Sequence, residues 1–435
     1  MTSAPPILAR SNLRIRTLTA RPFVRSVAGV AGANTLITVA GSVGGLVLAR
    51  SLGPAARGDL VTIVLWPTTV GSIAALGTTE ATCFLVARSK RSDSQPIVAT
   101  SAAAAVATGL VVALAGLALA PLIARTTPVA TLLRYVFALS PAYIGAGVMA
   151  SALQARSTGR WNAARGMQPL VYLLGVCGLA AAGRLTLTSA VAAFCAGQLA
   201  QLLAGTLLVR RTLGPWSRPD PGRLRPLYGY GVRSWVASVP RIVNVRLDLL
   251  ILSILPAVTS AALGNYAVAA SLSWLALPLA SAFGSVAFPS IAGAATEGDA
   301  RRIERTSLRG ATATAGVAMV VLAASASFVV PALFGPGFHD AVVALWLLAP
   351  GTVFLALNRV QGDLLRGRGH PIAVSSAEGI GALITLGLLL GLIPPLGING
   401  AAIASSVAYA SISVLLHRSL LRVRHAAAAA EVAGG

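Results

Sequence analysis

Apolar stretches long enough to cross a bilayer alternate with short polar connections along most of the 435-residue chain. A membrane-spanning helix needs roughly 20 predominantly apolar residues. The pattern therefore predicts an all-α integral membrane protein with about twelve transmembrane helices, at 26–49, 60–87, 97–120, 131–153, 166–183, 187–209, 229–256, 260–290, 308–333, 341–361, 372–394 and 398–417. The first segment is longer than the apolar part of a usual signal peptide, so we interpret it as an uncleaved helix.

The basic residues test this count, because Lys and Arg concentrate in the cytoplasmic loops of membrane proteins. Most of the arginines lie in every second connection, and the opposite side carries only Arg50, Arg57, Arg125 and Arg184. This alternation predicts a multi-pass protein of the bacterial cytoplasmic membrane with both termini in the cytoplasm.

Composition agrees with the membrane assignment, since 56% of the residues are hydrophobic and only 11% are charged. The formal net charge of +22 could suggest a nucleic-acid partner. Such binding needs a clustered basic face, whereas these arginines are scattered between apolar runs. We therefore expect membrane lipids, and no nucleic acid, as partners.

The connection "RRTLGPWSRPDPGRLRP" at 210–226 is the longest hinge-like segment and divides the helices six and six. Weak internal sequence similarity supports two related halves. The similar segments are "SLGPAARGDLVTIVLWP" and "SAALGNYAVAASLSWLALP". Transporters built from repeats often hold their cargo between the halves. The predicted organisation is two lobes around a central cavity, with a basic N-terminal segment 1–25, a first lobe 26–209, a cytoplasmic linker 210–228, a second lobe 229–417 and a cytoplasmic tail 418–435.

The stretch "VASVPRIVNVRLDLLILSIL" at 236–255 places charges inside an apolar helix. At about 100° per residue, Arg233, Arg241, Asn244 and Asp248 share one stripe, and a charge at the bilayer centre is costly unless it faces protein or water. We interpret this stripe as cavity lining, with Arg241 and Arg233 as candidates to bind a phosphate-bearing anion through guanidinium forks. The alternatives are an Arg241–Asp248 packing pair and an Arg233 that reaches the headgroups.

Arg246 points nearly the opposite way and has apolar neighbours on its own face. It remains a candidate for substrate binding, but pairing with an acid on another helix is the competing interpretation. Glu80, Glu378 and Asp248 are candidates for ion coupling, because burial favours the protonated carboxyl. Pairing with a neighbouring arginine or hydroxyl is the alternative for Glu80 and Glu378.

Three segments resemble polysaccharide-biosynthesis flippases of the O-antigen and teichuronic-acid type: "LARSLGPAARGDL", "VRLDLLILSIL" and "LGNYAVAASLSWLALPLASAFGSVAFPSIA". This family belongs to the superfamily that also contains multidrug and toxin extrusion antiporters and lipid II flippases. The resemblance implies that the chain flips an undecaprenyl-diphosphate-linked oligosaccharide from the cytoplasmic to the outer leaflet. A polysaccharide polymerase or glycosyltransferases would be its candidate protein partners.

Two other functions stay open at this stage. A multidrug and toxin extrusion-type antiporter would share the fold but would need carboxylates and aromatic faces for organic cations. A membrane-embedded glycosyltransferase or ligase would need acids or histidines on a substantial outer loop, and the predicted outer loops are short. No cofactor or metal is expected, because the sequence has no Walker motif and Cys83, Cys177 and Cys195 lack metal-ligand spacing.

Overall fold

The computed structural model describes residues 7–292 and 296–434, with side chains from Gly29 to Ala426 except at 31, 237, 289 and 292. The beginning of the predicted N-terminal segment, residues 1–6, lies outside this range. Within it the regular structure is helical. The helices of the first half are α1 Ile7–Ala74, α2 Thr78–Arg88, α3 Arg91–Ile123, α4 Thr127–Ala138, α5 Ser140–Gln154, α6 Thr158–Ala181 and α7 Leu187–Leu213.

The second half contains six α-helices, with short 3-10 turns at Trp274–Ala276, between its second and third helices, and at Pro336–Phe338, between its fourth and fifth; another, Pro221–Arg223, directly precedes its first helix. Its helices are α8 Leu224–Ile254, α9 Ser260–Ser273, α10 Leu277–Ala292, α11 Glu297–Phe334, α12 Asp340–Gly367 and α13 Pro371–Gly434. The connection between α7 and α8 covers only 214–223, because both helices run into the predicted linker 210–228.

Two helices bend sharply at glycines with positive φ, α1 at Gly53 (φ 76°) and α13 at Gly397 (φ 57°). Glycine adopts this backbone conformation without the steric cost of a Cβ. Each bend lies between two predicted membrane spans, so α1 and α13 each consist of two helical segments joined at a kink. A further break at Leu76 (φ 48°) and Gly77 (φ 71°) separates α1 from α2 inside one predicted span.

Helix covers most of every predicted span in the described residues, which confirms the all-α membrane fold. Seven of the described helices, taken with their bends, are long and apolar enough to cross a membrane, or eight if the bent pair α4–α5 is one span. Two of these seven, 32–74 and 371–426, contain the bends at Gly53 and Gly397. The number of crossings, twelve, stays a prediction.

Helices α1–α7 pack mainly with one another and form what we call the first group, and α8–α13 form the second group. Each group has its own apolar interior. In the first group Leu133 and Phe137 are buried, and in the second group Tyr266 and Leu345 are buried. The groups meet where α1 packs against α9 and where α8 packs against α1 and α2.

The two similar segments of the sequence, which contain Gly58 and Gly264, contact each other at this junction. A Cβ on Gly58 would lie 1.9 Å from the carbonyl oxygen of Ser260, and a Cβ on Gly264 would lie 1.9 Å from that of Pro54. The hydroxyl of Ser260 also donates a hydrogen bond of 2.6 Å to Asp59. Only glycine fits at either position, so α1 and α9 approach through a reciprocal backbone contact.

Candidate functional site

Helix α8 carries the charged stretch and contacts both groups, α13 on one side and α1 and α2 on the other. Its side chains therefore face different surroundings. Trp235, Ser238 and Ile242 recur at helical spacing and line a cavity between the groups. Arg246, four residues after Ile242, continues the same face.

Asn244 lies on the other side of α8, inside the second group, and is 2% exposed. Its amide nitrogen donates to Glu378 at 3.2 Å, and Thr385 donates to its amide oxygen at 2.8 Å. Both partners belong to α13. The amide therefore fixes the position of the half-buried Glu378 carboxylate.

Asp248, one turn further along, is also enclosed in the second group and is 6% exposed. It accepts hydrogen bonds from the hydroxyl of Tyr266 at 2.5 Å, from the hydroxyl of Ser405 at 3.3 Å and from the N–H of Leu249 at 2.7 Å. These donors satisfy the carboxylate inside the group. The structure thus rotates α8 differently from the sequence interpretation, which placed Asn244 and Asp248 on the cavity face.

Arg241 is exposed and interacts electrostatically with Arg359, Asp363 and Glu378. It lies within one turn of Ser238, a cavity-lining residue. Its neighbours come from α12 and α13, so the position of Arg241 depends on the packing of three helices.

Arg359 and Arg366 come from α12 and bring further positive charge to this region. Arg366 pairs with Asp363 at 2.7 Å, whereas the hydrogen-bonding contact of Arg359 is with the hydroxyl of Ser281, at 3.5 Å. We call Arg241, Arg359 and Arg366 the arginine cluster. From the sequence, the i, i+4 and i+7 spacing of Arg359, Asp363 and Arg366 suggests a local ion-pair ladder, so Arg359 is not recognisable there as a cavity candidate.

Arg246 reaches across the junction between the groups. It donates to the hydroxyl of Thr69 at 2.9 Å and approaches that of Thr68 at 3.4 Å, both on α1. Its partners are therefore hydroxyls and not the acid that the sequence suggested. Arg233, near the start of α8, is exposed.

The cavity between the groups has a volume of about 310 Å³, and both groups contribute to its walls. The first group supplies Ser72, Glu80, Tyr143 and Gln201, and α8 supplies Trp235. Pockets of this size commonly bind small molecules or parts of larger ligands. The wall from the first group offers one carboxylate among neutral hydroxyl and amide groups.

Several side chains of this wall are held in place by hydrogen bonds. The Tyr143 hydroxyl lies 2.8 Å from that of Ser72, and the indole N–H of Trp235 donates to the carbonyl oxygen of Ile73 at 2.6 Å. Glu80 is exposed and accepts from the hydroxyl of Thr79 at 2.6 Å. Glu80 thus belongs to the first group, whereas the arginine cluster belongs to the second.

Among the residues that the structure describes, no three His, Cys, Asp or Glu side chains come together as a candidate metal site. Cys83, Cys177 and Cys195 are unpaired. The chemistry available at the site is that of charges, hydroxyls, amides and aromatic rings.

Comparison with known proteins adds a family and a fold. A family described as "Polysaccharide biosynthesis protein" matches residues 47–343. No curated protein matches the chain by sequence. The matched region runs from the end of the first predicted span to the start of α12, so it includes α8 and the cavity.

Several solved structures share the fold. The lipid II flippase MurJ in an inward closed conformation matches with a TM-score of 0.76 and 10% identity, over 92% of this chain and 89% of that one. An inward-facing multidrug resistance MATE family transporter of the MOP superfamily matches with a TM-score of 0.71 and 15% identity, over 89% and 94%.

A MOP superfamily transporter from Pyrococcus furiosus, described by the reverse polarity of its binding pocket, has a TM-score of 0.55 and 12% identity, over 92% and 95%. At identities this low, the likeness to all three structures concerns the fold.

Proposed function

This chain belongs to the polysaccharide biosynthesis protein family, and we propose that it flips an undecaprenyl-diphosphate-linked oligosaccharide from the cytoplasmic to the outer leaflet. The observation that carries the proposal is the arginine cluster, whose Arg241 lies within one helical turn of the cavity-lining Ser238. Guanidinium groups bind phosphate oxygens in pairs and stay charged at physiological pH. A diphosphate carries the complementary charge.

The two sides of α8 suit the two parts of this cargo. Arg241, with Arg359 close by, would hold the diphosphate. The hydroxyl, amide and indole groups around Tyr143, Gln201 and Trp235 would contact sugar, because sugars bind through hydrogen bonds to their hydroxyls and through aromatic faces. The polyprenyl chain would remain in the surrounding lipid.

Arg241→Ala tests this assignment. We expect export to be lost at normal protein abundance, with lipid-linked oligosaccharide accumulating on the cytoplasmic leaflet. Arg241→Lys should recover part of the activity, since an ammonium keeps the charge but lacks the planar fork. Export is measured as surface polysaccharide, and the leaflet distribution by leaflet-specific labelling of the lipid-linked sugar. An immunoblot measures protein abundance.

The matched control is Arg184→Ala, which removes an exposed arginine from the predicted outer side, away from the cavity lining. It should export normally. Normal export by Arg241→Ala at normal abundance would rule out Arg241 as the diphosphate site.

Ion coupling is proposed for two carboxylates, Glu80 and Glu378. Glu80 lines the cavity, and Glu378 is half-buried beside Asn244. Asp248 was a third candidate, and its three donors inside the second group make it the least accessible of these carboxylates. Replacing Glu80 or Glu378 by Gln would abolish the dependence of flipping on the proton gradient if that residue carries the proton.

A second candidate function is extrusion of organic cations, and one observation favours it. Glu80 lies in the same cavity as Tyr143 and Trp235, and a carboxylate with aromatic rings suits a cation. Growth in the presence of cationic dyes, measured for cells that express the chain, distinguishes the two functions. Resistance that is lost in Glu80→Gln and kept in Arg241→Ala would favour extrusion.

The proposal further places the protein in the bacterial cytoplasmic membrane with both termini inside, as a carrier and not an enzyme. Its partners would include a polysaccharide polymerase or glycosyltransferases, because flipped oligosaccharides must be made on one side and used on the other.

A further inference from the structure

A second cavity, of about 190 Å³, opens between the groups away from the one described above. It lies between α1, before its bend at Gly53, and the ends of α9 and α11. Its apolar walls include Val43, Leu275 and Leu333, which are 41%, 41% and 40% exposed. In a membrane-spanning protein such exposed apolar side chains face lipid chains.

The charged group among its lining residues is Arg57, on α1 just beyond the bend. The side chain is half-buried, and its Nε is buried without a hydrogen-bond partner. The ion pairs formed by the described residues do not include Arg57. Such a guanidinium is costly in an apolar setting until an anion pairs with it.

Gly45 leaves room beside this guanidinium. A Cβ at Gly45 would lie 3.6 Å from Nη2 of Arg57. A larger side chain there would therefore extend toward the guanidinium. The absence of a side chain keeps that part of the cleft open.

The level of Arg57 in the membrane follows from its place in the chain. It lies in the connection between the first two predicted spans, which the charge pattern places outside. Arg50, in the same connection, donates to the carbonyl oxygen of Ala332 at 3.3 Å. This contact brings the end of α11 to the same level, which the predicted orientation places at the phosphates of the outer leaflet.

We propose that this cleft binds an anionic phospholipid of the outer leaflet as a resident lipid, with its phosphate on Arg57 and an acyl chain along Val43, Leu275 and Leu333. An ordinary phospholipid is favoured over the cargo because the cleft shares no lining residue with the larger cavity. The lipid would fill the junction between α1 and the second group and neutralise Arg57.

Native mass spectrometry of the purified full chain, titrated with phosphatidylglycerol or phosphatidylcholine, tests the proposal. The wild type should retain phosphatidylglycerol in preference to phosphatidylcholine. Arg57→Met should bind phosphatidylglycerol roughly tenfold more weakly or worse, because a charged hydrogen bond is lost. The control Arg184→Met, at an exposed arginine on the same predicted side, should behave like the wild type.

Gly45→Val provides a second test that leaves the charge in place. The added side chain should narrow the cleft and weaken phosphatidylglycerol binding, even if Arg57→Met does not fold. Equal phosphatidylglycerol affinity in wild type and in folded Arg57→Met, or unchanged binding by Gly45→Val, would overturn the proposal.

A preference for undecaprenyl phosphate over phosphatidylglycerol would also overturn it and assign the cleft to the cargo. Export is not a readout here, so failure of this proposal leaves the proposed function intact.

Discussion

Arg246 shows how a charge can be accommodated within the membrane without an opposite charge. It donates a hydrogen bond to the hydroxyl of Thr69 at 2.9 Å, and the hydroxyl of Thr68 is also close. Two hydroxyls of the first group therefore accept hydrogen bonds from a guanidinium of the second. Hydrogen bonds that involve a charged group contribute about 1.5–3 kcal/mol, more than neutral ones. Arg246 therefore stabilises the arrangement in which α8 lies against α1.

Arg246→Met should lower the free energy of unfolding by about 1.5–3 kcal/mol, the value of a charged hydrogen bond. The loss should stay modest, because Thr68 keeps its hydrogen bonds to the carbonyl oxygens of Val64 and Leu65. Thermal unfolding in detergent measures the change. A loss of about 3–5 kcal/mol, typical of a broken buried ion pair, would contradict the hydroxyl contacts and point to an acidic partner.

At the scale of the helices, two features hold elements together in different ways. Near the predicted cytoplasmic ends of α11, α12 and α13, Arg368 bonds Glu297 at 2.9 Å and Glu304 at 3.1 Å, and Arg424 also pairs with Glu304. Although burial alone would lower the pKa of Arg368, its hydrogen bonds to Glu297 and the nearby carboxylates raise that pKa above its usual value. The second feature is the glycine contact between α1 and α9.

Glu304→Gln should destabilise the second group by about 3–5 kcal/mol, because Arg368, with only 6% of its side chain exposed, would lose one of its charged partners. The control is Asp220→Asn, which breaks the exposed pair with Arg223. Exposed pairs are worth about 0–1 kcal/mol. Thermal unfolding of the two variants compares them directly, and equal losses would contradict a special role of the buried network.

Gly58→Val should separate α1 from α9, since its Cβ would overlap the carbonyl oxygen of Ser260. Cysteines at Asp59 and Ser260, whose side chains touch in the wild type, can report this in a background without the native cysteines. We expect the two cysteines to cross-link readily when Gly58 is present. They should cross-link poorly in the protein that also carries Gly58→Val.

Gly178→Val is the matched control, because a Cβ there meets nothing within 4 Å. It should leave the cross-link unchanged. Efficient cross-linking in the presence of Gly58→Val would mean that the close approach does not depend on glycine.

At the scale of the whole molecule, the arrangement of charge predicts the orientation of the chain in the membrane. Arginines concentrate in alternate connections, which accounts for most of the net charge of +22. The connection between the groups, at 214–223, lies on the arginine-rich side. The level assigned to Arg57 depends on this orientation.

Tags on both termini and within the 210–226 segment should therefore all report the cytoplasm. Protease protection in sealed vesicles or labelling with an impermeant reagent measures their location. An externally accessible 210–226 segment would contradict the count of twelve crossings and reverse the outer placement of Arg57.

The sequence by itself determined the helical membrane fold, the positions of the helices and the family resemblance, which the family match over 47–343 confirms. Each of these depends on local hydrophobicity and on short motifs, which a single chain displays directly. The similar segments around Gly58 and Gly264 were also visible, but the sequence did not reveal that they contact each other.

Only the tertiary structure decided which way each helix faces. Asn244 and Asp248 turn into the second group, Arg246 bonds threonines of the first, and Arg359 lies near Arg241. The physical reason is that helix rotation follows from packing against partners far away in the chain. Periodicity shows which residues share a face, but it does not show what that face meets.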